Sequence, residues 1–429
     1  MKKLLIVLLL VGVGAGAYKY WSRGSPAPGT VSGNPTVVQV VTGVLSAGQY
    51  HIEAINADGR LYGWGSNEDK ELGFPGITTL PIPKPLATDL TWRTVHASQR
   101  ASYAITPQGG LWRRTYDRHP ITGRTGSEIA RSRERKRAQD FRYEPLGWEN
   151  KWAKAMESWM VAVGLDIDGK LWTWYDPDIR LEANRDVGGK VSDPLPVSPE
   201  RKWLDFCVAK FRVYAVADDG SLWKYDRELT PGERVADTGE PYRWRPTAPI
   251  LVSNRSKFRQ VFCIDNASHV LAIDAANRLW GFGSNEFGEL GDGDGDGSTK
   301  SLPVPEAAMK QLNDKKWIDV ALRSGFTLGI ARDGSLWAWG NNAYANLGTG
   351  DQQYHDVPRL IDKNNRWVAV TAGNAFGAGL TREGDIYTWG TGGAALGHGG
   401  ASAVQAAPAK VYGSERWSTT TKGEKHANF

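Results

Sequence analysis

No His-Glu-x-x-His, Gly-x-Ser-x-Gly or phosphate-loop pattern occurs in the 429 residues, and the seven His have no metal-ligand spacing. Those absences remove the zinc peptidases, the nucleophile-elbow hydrolases and the nucleotide-loop enzymes that announce themselves by a short motif. Cysteine is scarce as well, with Cys207 and Cys263 only. No helical apolar period of useful length runs through the body of the chain. Net charge is low at +5, and the excess is local. Residues 113–142 hold ten basic and four acidic residues, and residues 1–23 add Lys2, Lys3, Lys19 and Arg23. The remainder is net acidic, so the basic balance does not make the body a nucleic-acid binder.

Glycine and tryptophan are abundant, at 50 and 19 residues. Together they suggest short strands, tight turns and large side chains filling a repeated core. The chain opens with Met1-Lys2-Lys3 and an apolar run, Leu4 to Tyr18, a basic region followed by a hydrophobic one as in an export signal. Ala15-Gly16-Ala17 suits cleavage. Tyr18-Lys19-Tyr20-Trp21 suits the interfacial collar of a retained anchor. No Cys follows the run, which argues against a lipoprotein. The expectation is residues 1–21 as signal or anchor, 22–36 as a Gly/Ser/Pro linker, and 37–429 as the folded body. The chain would be periplasmic or extracellular, tethered to the membrane by residues 4–21.

One pattern recurs seven times in that body. It reads Gly59-Arg60-Leu61-Tyr62-Gly63-Trp64-Gly65 in the first copy and Gly110-Leu111-Trp112 in the second. It continues through Leu171-Trp172-Thr173-Trp174, Leu222-Trp223-Lys224-Tyr225, Leu279-Trp280-Gly281-Phe282, Leu336-Trp337-Ala338-Trp339 and Ile386-Tyr387-Thr388-Trp389. A second marker also counts to seven: Trp92, Trp152, Trp203, Phe258, Trp317, Trp367 and Trp417. Such a period means a solenoid, propeller or array. Locally, His51 to Ile55, an Asp58-Gly59 turn and Leu61 to Trp64 form a hairpin. A Pro-marked third strand and a fourth starting at the marker aromatic complete a four-stranded unit. The expectation is an all-β, seven-bladed propeller of four-stranded blades, preceded by one apolar segment. Trp417 would then start the fourth strand of blade seven and close the ring, with Val37 to Val44 as the competing closure.

The motif residues resemble the regulator of chromosome condensation repeat. Gly63-Trp64-Gly65-Ser66-Asn67 with Glu71-Leu72-Gly73 carries the likeness, as do Gly281 to Gly291 and Ala338 to Asn342 with Asn346-Leu347-Gly348. Repeats two, three and four lack these parts. The resemblance implies a seven-bladed propeller over residues 37–429. A secreted bacterial β-lactamase inhibitor is similar in type and binds its target with loops on one face. That precedent implies an exported, monomeric protein-binding scaffold rather than an enzyme. A propeller hydrolase or lyase acting on a polysaccharide is the alternative, because propellers can build sites from scattered loop residues.

Three features could carry chemistry. The basic insertion 113–142, with Arg131, Arg133, Arg135, Lys136 and Arg137, reads as a solvated loop or as a dock for anionic lipid, envelope polymer or an acidic protein. Nucleic acid is not expected, since aromatics are sparse there. Asp292, Asp294 and Asp296 alternate with Gly as in calcium loops. Yet the twelfth position from Asp292 is Pro303, not Glu, so an acidic inter-strand loop is the first reading, calcium the second, and no other cofactor is expected. Cys207 and Cys263 sit one residue apart in the repeat frame. Two buried thiols are therefore expected ahead of a disulfide.

Overall fold

The structure, a computed structural model, describes residues 43–86, 89–98, 101–115, 143–158, 161–174, 191–209, 212–231, 242–264, 269–295, 304–400, 404–413 and 415–419. The apolar run, the linker, most of the basic insertion and Asp296 lie outside these.

Seven antiparallel sheets make seven blades of a propeller, each running in order from an innermost to an outermost strand. The innermost strands start at Leu45, Thr94, Trp152, Trp203, Phe258, Trp317 and Trp367. The second and third strands are the hairpins recognisable in the sequence, such as His51–Ile55 with Leu61–Ser66 and Phe376–Thr381 with Ile386–Gly390. Indoles fill the spaces between sheets: Trp64, Trp152, Trp317, Trp339, Trp367 and Trp389 are all sealed from solvent. Blade four departs from the pattern. Its third strand, Leu222–Pro231, runs on to pair with an added strand, Tyr242–Pro246, and then also takes Ile250–Ser253 at its edge.

The marker aromatic begins a blade instead of ending one, which corrects the expected phase by one strand. Its strand pairs forward, as Trp367–Ala372 does with Phe376–Thr381. Its backward link is a single hydrogen bond to the previous blade. The N–H of Trp92, Trp152, Trp203, Phe258, Trp317, Trp367 and Trp417 donates to the carbonyl of Gly59, Gly109, Gly169, Gly220, Asn277, Gly334 and Gly384, at 2.8 to 3.1 Å. That bond explains why the two seven-fold markers travel together. Each hairpin turn holds the start of the next blade.

Ring closure corrects the sequence reading again. Blade seven has its own outermost strand, Gln405–Lys410, paired with Ile386–Gly390. Trp417 belongs to blade one, where it bridges Asn56 as Trp367 faces Thr381 in blade seven. The Ser418 N–H donates to the Ile55 carbonyl, and the Ile55 N–H donates to the Val44 carbonyl. Leu45–Ala47 then pairs with Ala54 to Ile52. The innermost strand of blade one is thus assembled from two chain ends. Trp417-Ser418 supplies its first half and Val44 to Ala47 its second, so the two competing closures share one strand.

Candidate functional site

Each blade sends two kinds of connection to opposite sides of the ring. The hairpin turns and the marker aromatics lie on one side. The connections from third to fourth strand lie on the other, and these differ between two arcs.

In blades five, six, seven and one, the motif residues are consumed by holding the ring together. Trp339, Trp389 and Trp64 donate their indole N–H, each at 2.9 Å, to the carbonyls of Glu289, Asn346 and Ala395 in the preceding blade. The N–H groups of Gly293, Gly350 and Gly399 donate to Asp356, Ala406 and Pro81 on the next blade's outer strand. Each of these glycines has positive φ, so a side chain would strain the lacing turn. Blade one has Pro75 in the corresponding place and no N–H to give. The motif asparagines are spent as well. Asn67, Asn285 and Asn342 accept from Leu72, Leu290 and Leu347 N–H at 2.9 to 3.0 Å. Glu71 and Glu289 accept from Ser66 and Ser284 hydroxyls. These are loop-building contacts, and none leaves a reactive group exposed.

Seams in the other arc use individual solutions. Between blades one and two, the position of the inter-blade indole is taken by Arg114. It pairs with Glu53, whose other carboxylate oxygen accepts from Tyr143 at 2.6 Å and whose first also accepts from Ser102 at 2.6 Å. Glu53 and Arg114 are sealed from solvent. Between blades three and four, Lys154 bonds Asp205 at 2.7 Å and the Phe206 carbonyl at 2.6 Å.

Between blades four and five the two cysteines are joined, with Cα atoms 5.4 Å apart. The expectation of two thiols fails because neighbouring innermost strands are staggered by one residue. Counting from each marker aromatic, the fourth residue of one blade meets the fifth of the next. Thr371 accepts from Ala47 N–H at 3.0 Å and Ser46 from Ala97 N–H at 2.9 Å in that arrangement. Cys207 and Cys263 occupy the same pair of places, so the one-residue offset is what brings them together.

A belt of charge follows the innermost strands through blades three to six: Lys154, Asp205, Arg259, Asp319. Burial brings the Arg259 guanidinium down, and it acts on Asp319 as well. There it pushes the carboxyl up to about 7, against the opposing N–H groups of Val370 and Val320 and the charges of Arg259 and Lys154. Asp205 accepts Val261 N–H at 3.0 Å in the same cross-blade manner. Both carboxylates are therefore seam-holding groups. His51 and His269 are sealed in the core. Burial, then the charges of Arg114 and Arg323, brings His51 down to about 3. Burial takes His269 to about 4 against the pull of Glu289.

Of the residues singled out from sequence, Asp292 and Asp294 are brought together, but around Lys310, whose ammonium lies 3.0 and 2.9 Å from their carboxylates. Asp292 also accepts from Asn285 at 2.9 Å. Arg131, Arg133, Arg135, Lys136 and Arg137 fall outside the described residues. The first residues of the insertion belong to the blade frame. Leu111–Thr115 is a strand that takes in Arg113 and Arg114, and Tyr143 is buried against Trp92 with ring centroids 5.1 Å apart. Sequence reasoning missed Glu53 and Arg114, although Arg stands in the aromatic column of the second repeat.

The repeat description "Regulator of chromosome condensation (RCC1) repeat" matches residues 333–380. That segment runs from the hairpin turn of blade six to the second strand of blade seven, which is the same half-blade phase that the marker hydrogen bonds reveal. This is an RCC1-type propeller. It is 25% identical to the mitochondrial RCC1 domain-containing protein RUG3 of Arabidopsis thaliana, over 71% of this chain and 66% of that protein. It is 30% identical to the human E3 ubiquitin-protein ligase HERC2 over 30% of this chain and 3% of that protein. It is 32% identical to the ultraviolet-B receptor UVR8 of Arabidopsis thaliana over 26% of this chain and 24% of that protein. The chain thus spans less than two thirds of each. Among solved structures, Prp20p of Saccharomyces cerevisiae superposes with a TM-score of 0.63 over 88% of both chains at 14% identity. That likeness establishes the RCC1-type fold.

Proposed function

We propose that this RCC1-type propeller is an exported scaffold that holds a protein partner on the face carrying the third-to-fourth connections of blades two, three and four. The observation that carries it is the division into two arcs. Where the repeat motif is intact, its polar groups are used up in lacing the ring. Where the motif is absent, in three contiguous blades, the connections are long and leave and rejoin the frame on one side. They run from Thr115 to Glu144, from Trp174 to Leu195, and through the added hairpin of blade four. Loops on a rigid frame are the usual place for recognition. Prp20p, of the same fold, is a protein whose binding to Gsp1p and histones was reported with its structure.

The basic run Arg131 to Arg137 favours a partner with an acidic surface, with arginine as the residue suited to binding carboxylates. Export is supported by the Lys2-Lys3 and Leu4 to Tyr18 pattern and by the disulfide, a bond that persists in oxidising compartments. The hydrolase alternative needs carboxylates open to a substrate. Asp205 and Asp319, the carboxylates of the charged belt, are committed to backbone N–H groups instead.

The test is crosslinking capture from envelope fractions with two chains. One is the full protein and the other lacks 117–141, which keeps Tyr143 in place. A partner lost with the loop, and lost on raising salt, supports the reading. Identical capture by both chains, or fractionation of the native protein with the cytoplasm, refutes it.

A further inference from the structure

The outer edge between blades three and four holds a cleft of 410 Å³, within the range of ligand-sized sites. Pro196, Glu200 and Arg201 line it from blade three's outer strand and the connection that follows. Trp223, Pro246 and Pro249 line it from blade four. The apolar surface continues outward through Leu195, Ile250 and Leu251, all exposed.

The hydrogen-bonding inventory of these walls is lopsided. Three of the lining residues are proline and offer no N–H. The Trp223 indole N–H is already donated to the Ser221 hydroxyl at 2.6 Å. The one charged donor in the lining is the Arg201 guanidinium, with the Ser198 hydroxyl and the Ala248 N–H as minor neutral ones. Its Cζ lies over the Trp223 ring, 4.0 Å from the centroid, so a cation–π contact holds the fork in place. Its charge is felt by Asp219, yet no described residue accepts a hydrogen bond from it. Glu200, exposed at the rim, likewise has no cationic partner among the described residues.

A matching ligand brings flat apolar faces, exposed carbonyl acceptors and few N–H groups. An added β-strand does not fit, because it needs alternating donors and acceptors. The two flanking edges are blunted by Pro196 in one strand and Pro249 before the other. A polyproline II segment does fit. Its prolines have no N–H, its carbonyls point outward unpaired, and its rings pack on aromatic and proline walls. We propose that this cleft docks a proline-rich segment of a partner. Arg201 donates to its backbone carbonyls, Trp223 and the three prolines cover its rings, and Glu200 pairs with a basic residue flanking it. The proposal is independent of the loop face, since removing 117–141 leaves every cleft residue in place.

The experiment is a fluorescence anisotropy titration of the full chain with a short labelled, end-capped peptide of prolines and leucines carrying one terminal arginine. Saturable binding is expected. Arg201→Met, which keeps bulk but removes the donors, should weaken it about tenfold with an unchanged thermal midpoint. Glu200→Gln should weaken only the arginine-bearing peptide. Trp223→Phe serves as a second variant if Arg201→Met alters the midpoint. No saturable binding up to millimolar peptide, or equal binding by a serine-for-proline peptide, overturns the proposal. So does affinity indifferent to both Arg201→Met and Trp223→Phe. A proline-independent preference for an uncapped carboxylate would also overturn it, marking the cleft as an anion site.

Discussion

The Arg114 guanidinium meets the Glu53 carboxylate between blades one and two, at the positions that Trp339 and Leu271 hold within one apolar cluster of blades five and six. A buried pair of this kind holds its seam only while both members are present. Arg114→Met leaves a carboxylate without its cation and should cost about 3–5 kcal/mol in chemical denaturation. Copying the other seam, with Glu53→Leu, Arg114→Trp and Tyr143→Phe together, should recover most of that loss. A triple variant no better than the single one would show that this seam cannot take an indole.

The disulfide gives a second prediction. Replacing both cysteines by Ala should cost about 2–4 kcal/mol. Cys207→Ser with Cys263→Ala should recover about 1 kcal/mol of it, because a hydroxyl at 207 would accept the residue-263 N–H as Ser46 accepts that of Ala97. Equal melting of the two double variants would contradict the common stagger.

That stagger also shows what the sequence could and could not disclose. The seven hairpins were legible because Asp-Gly turns, alternating strands and aromatic pairs are local signals. The cut between blades was not. A marker strand such as Trp367–Ala372 has plausible partners before and after it, and only its ladder with Phe376–Thr381, against a lone bond back to Gly334, decides. The one-residue offset of Cys207 and Cys263 argued against a bridge on a flat sheet, whereas adjacent blades are fanned. The loop face was legible only as a basic run and three eroded repeats. The rim cleft was invisible, since Arg201 and Trp223 are ordinary residues until the fold stacks them.

Acidity should act in two opposite directions. Asp319 binds its proton more tightly folded, at about 7, than unfolded, at about 4. Stability from this group is therefore fully present below about pH 4 and is lost as pH rises from there to about 7. His51 and His96 are both brought down to about 3. His96 sits among Lys154 and Arg323, packed round by the ring although part of its surface stays accessible. Their contribution is present above the unfolded value of about 6.5 and is lost as pH falls toward 3. Two histidines outweigh one carboxylate over the shared window, so stability in guanidinium melts should rise from about pH 3 to about 6.5. Asp319→Asn should steepen the rise between about pH 4 and 7, where the carboxyl opposes the histidines, and change little above about pH 7. An unaltered rise would remove Asp319 as the opposing group.

The divided innermost strand of blade one predicts how the ring opens. Truncation after Ser414 removes Trp417, which packs on Tyr62 and Trp64 at centroid distances of 5.5 and 5.6 Å. It also removes the bond to Gly384 and the one from Ser418 to Ile55. Loss of a buried Trp costs about 3–5 kcal/mol, and the opened seam exposes strand edges that aggregate. Deleting residues 37–47 removes the other half of the same strand and should give a loss of similar size. Because both segments complete one strand, the two truncations together should cost much less than the sum of the separate losses. Trp417→Ala in the full chain isolates the indole from the backbone and should fall between wild type and truncation. Strictly additive losses, or a chain cut after Ser414 that melts like the intact one, would show that the two ends close the ring independently.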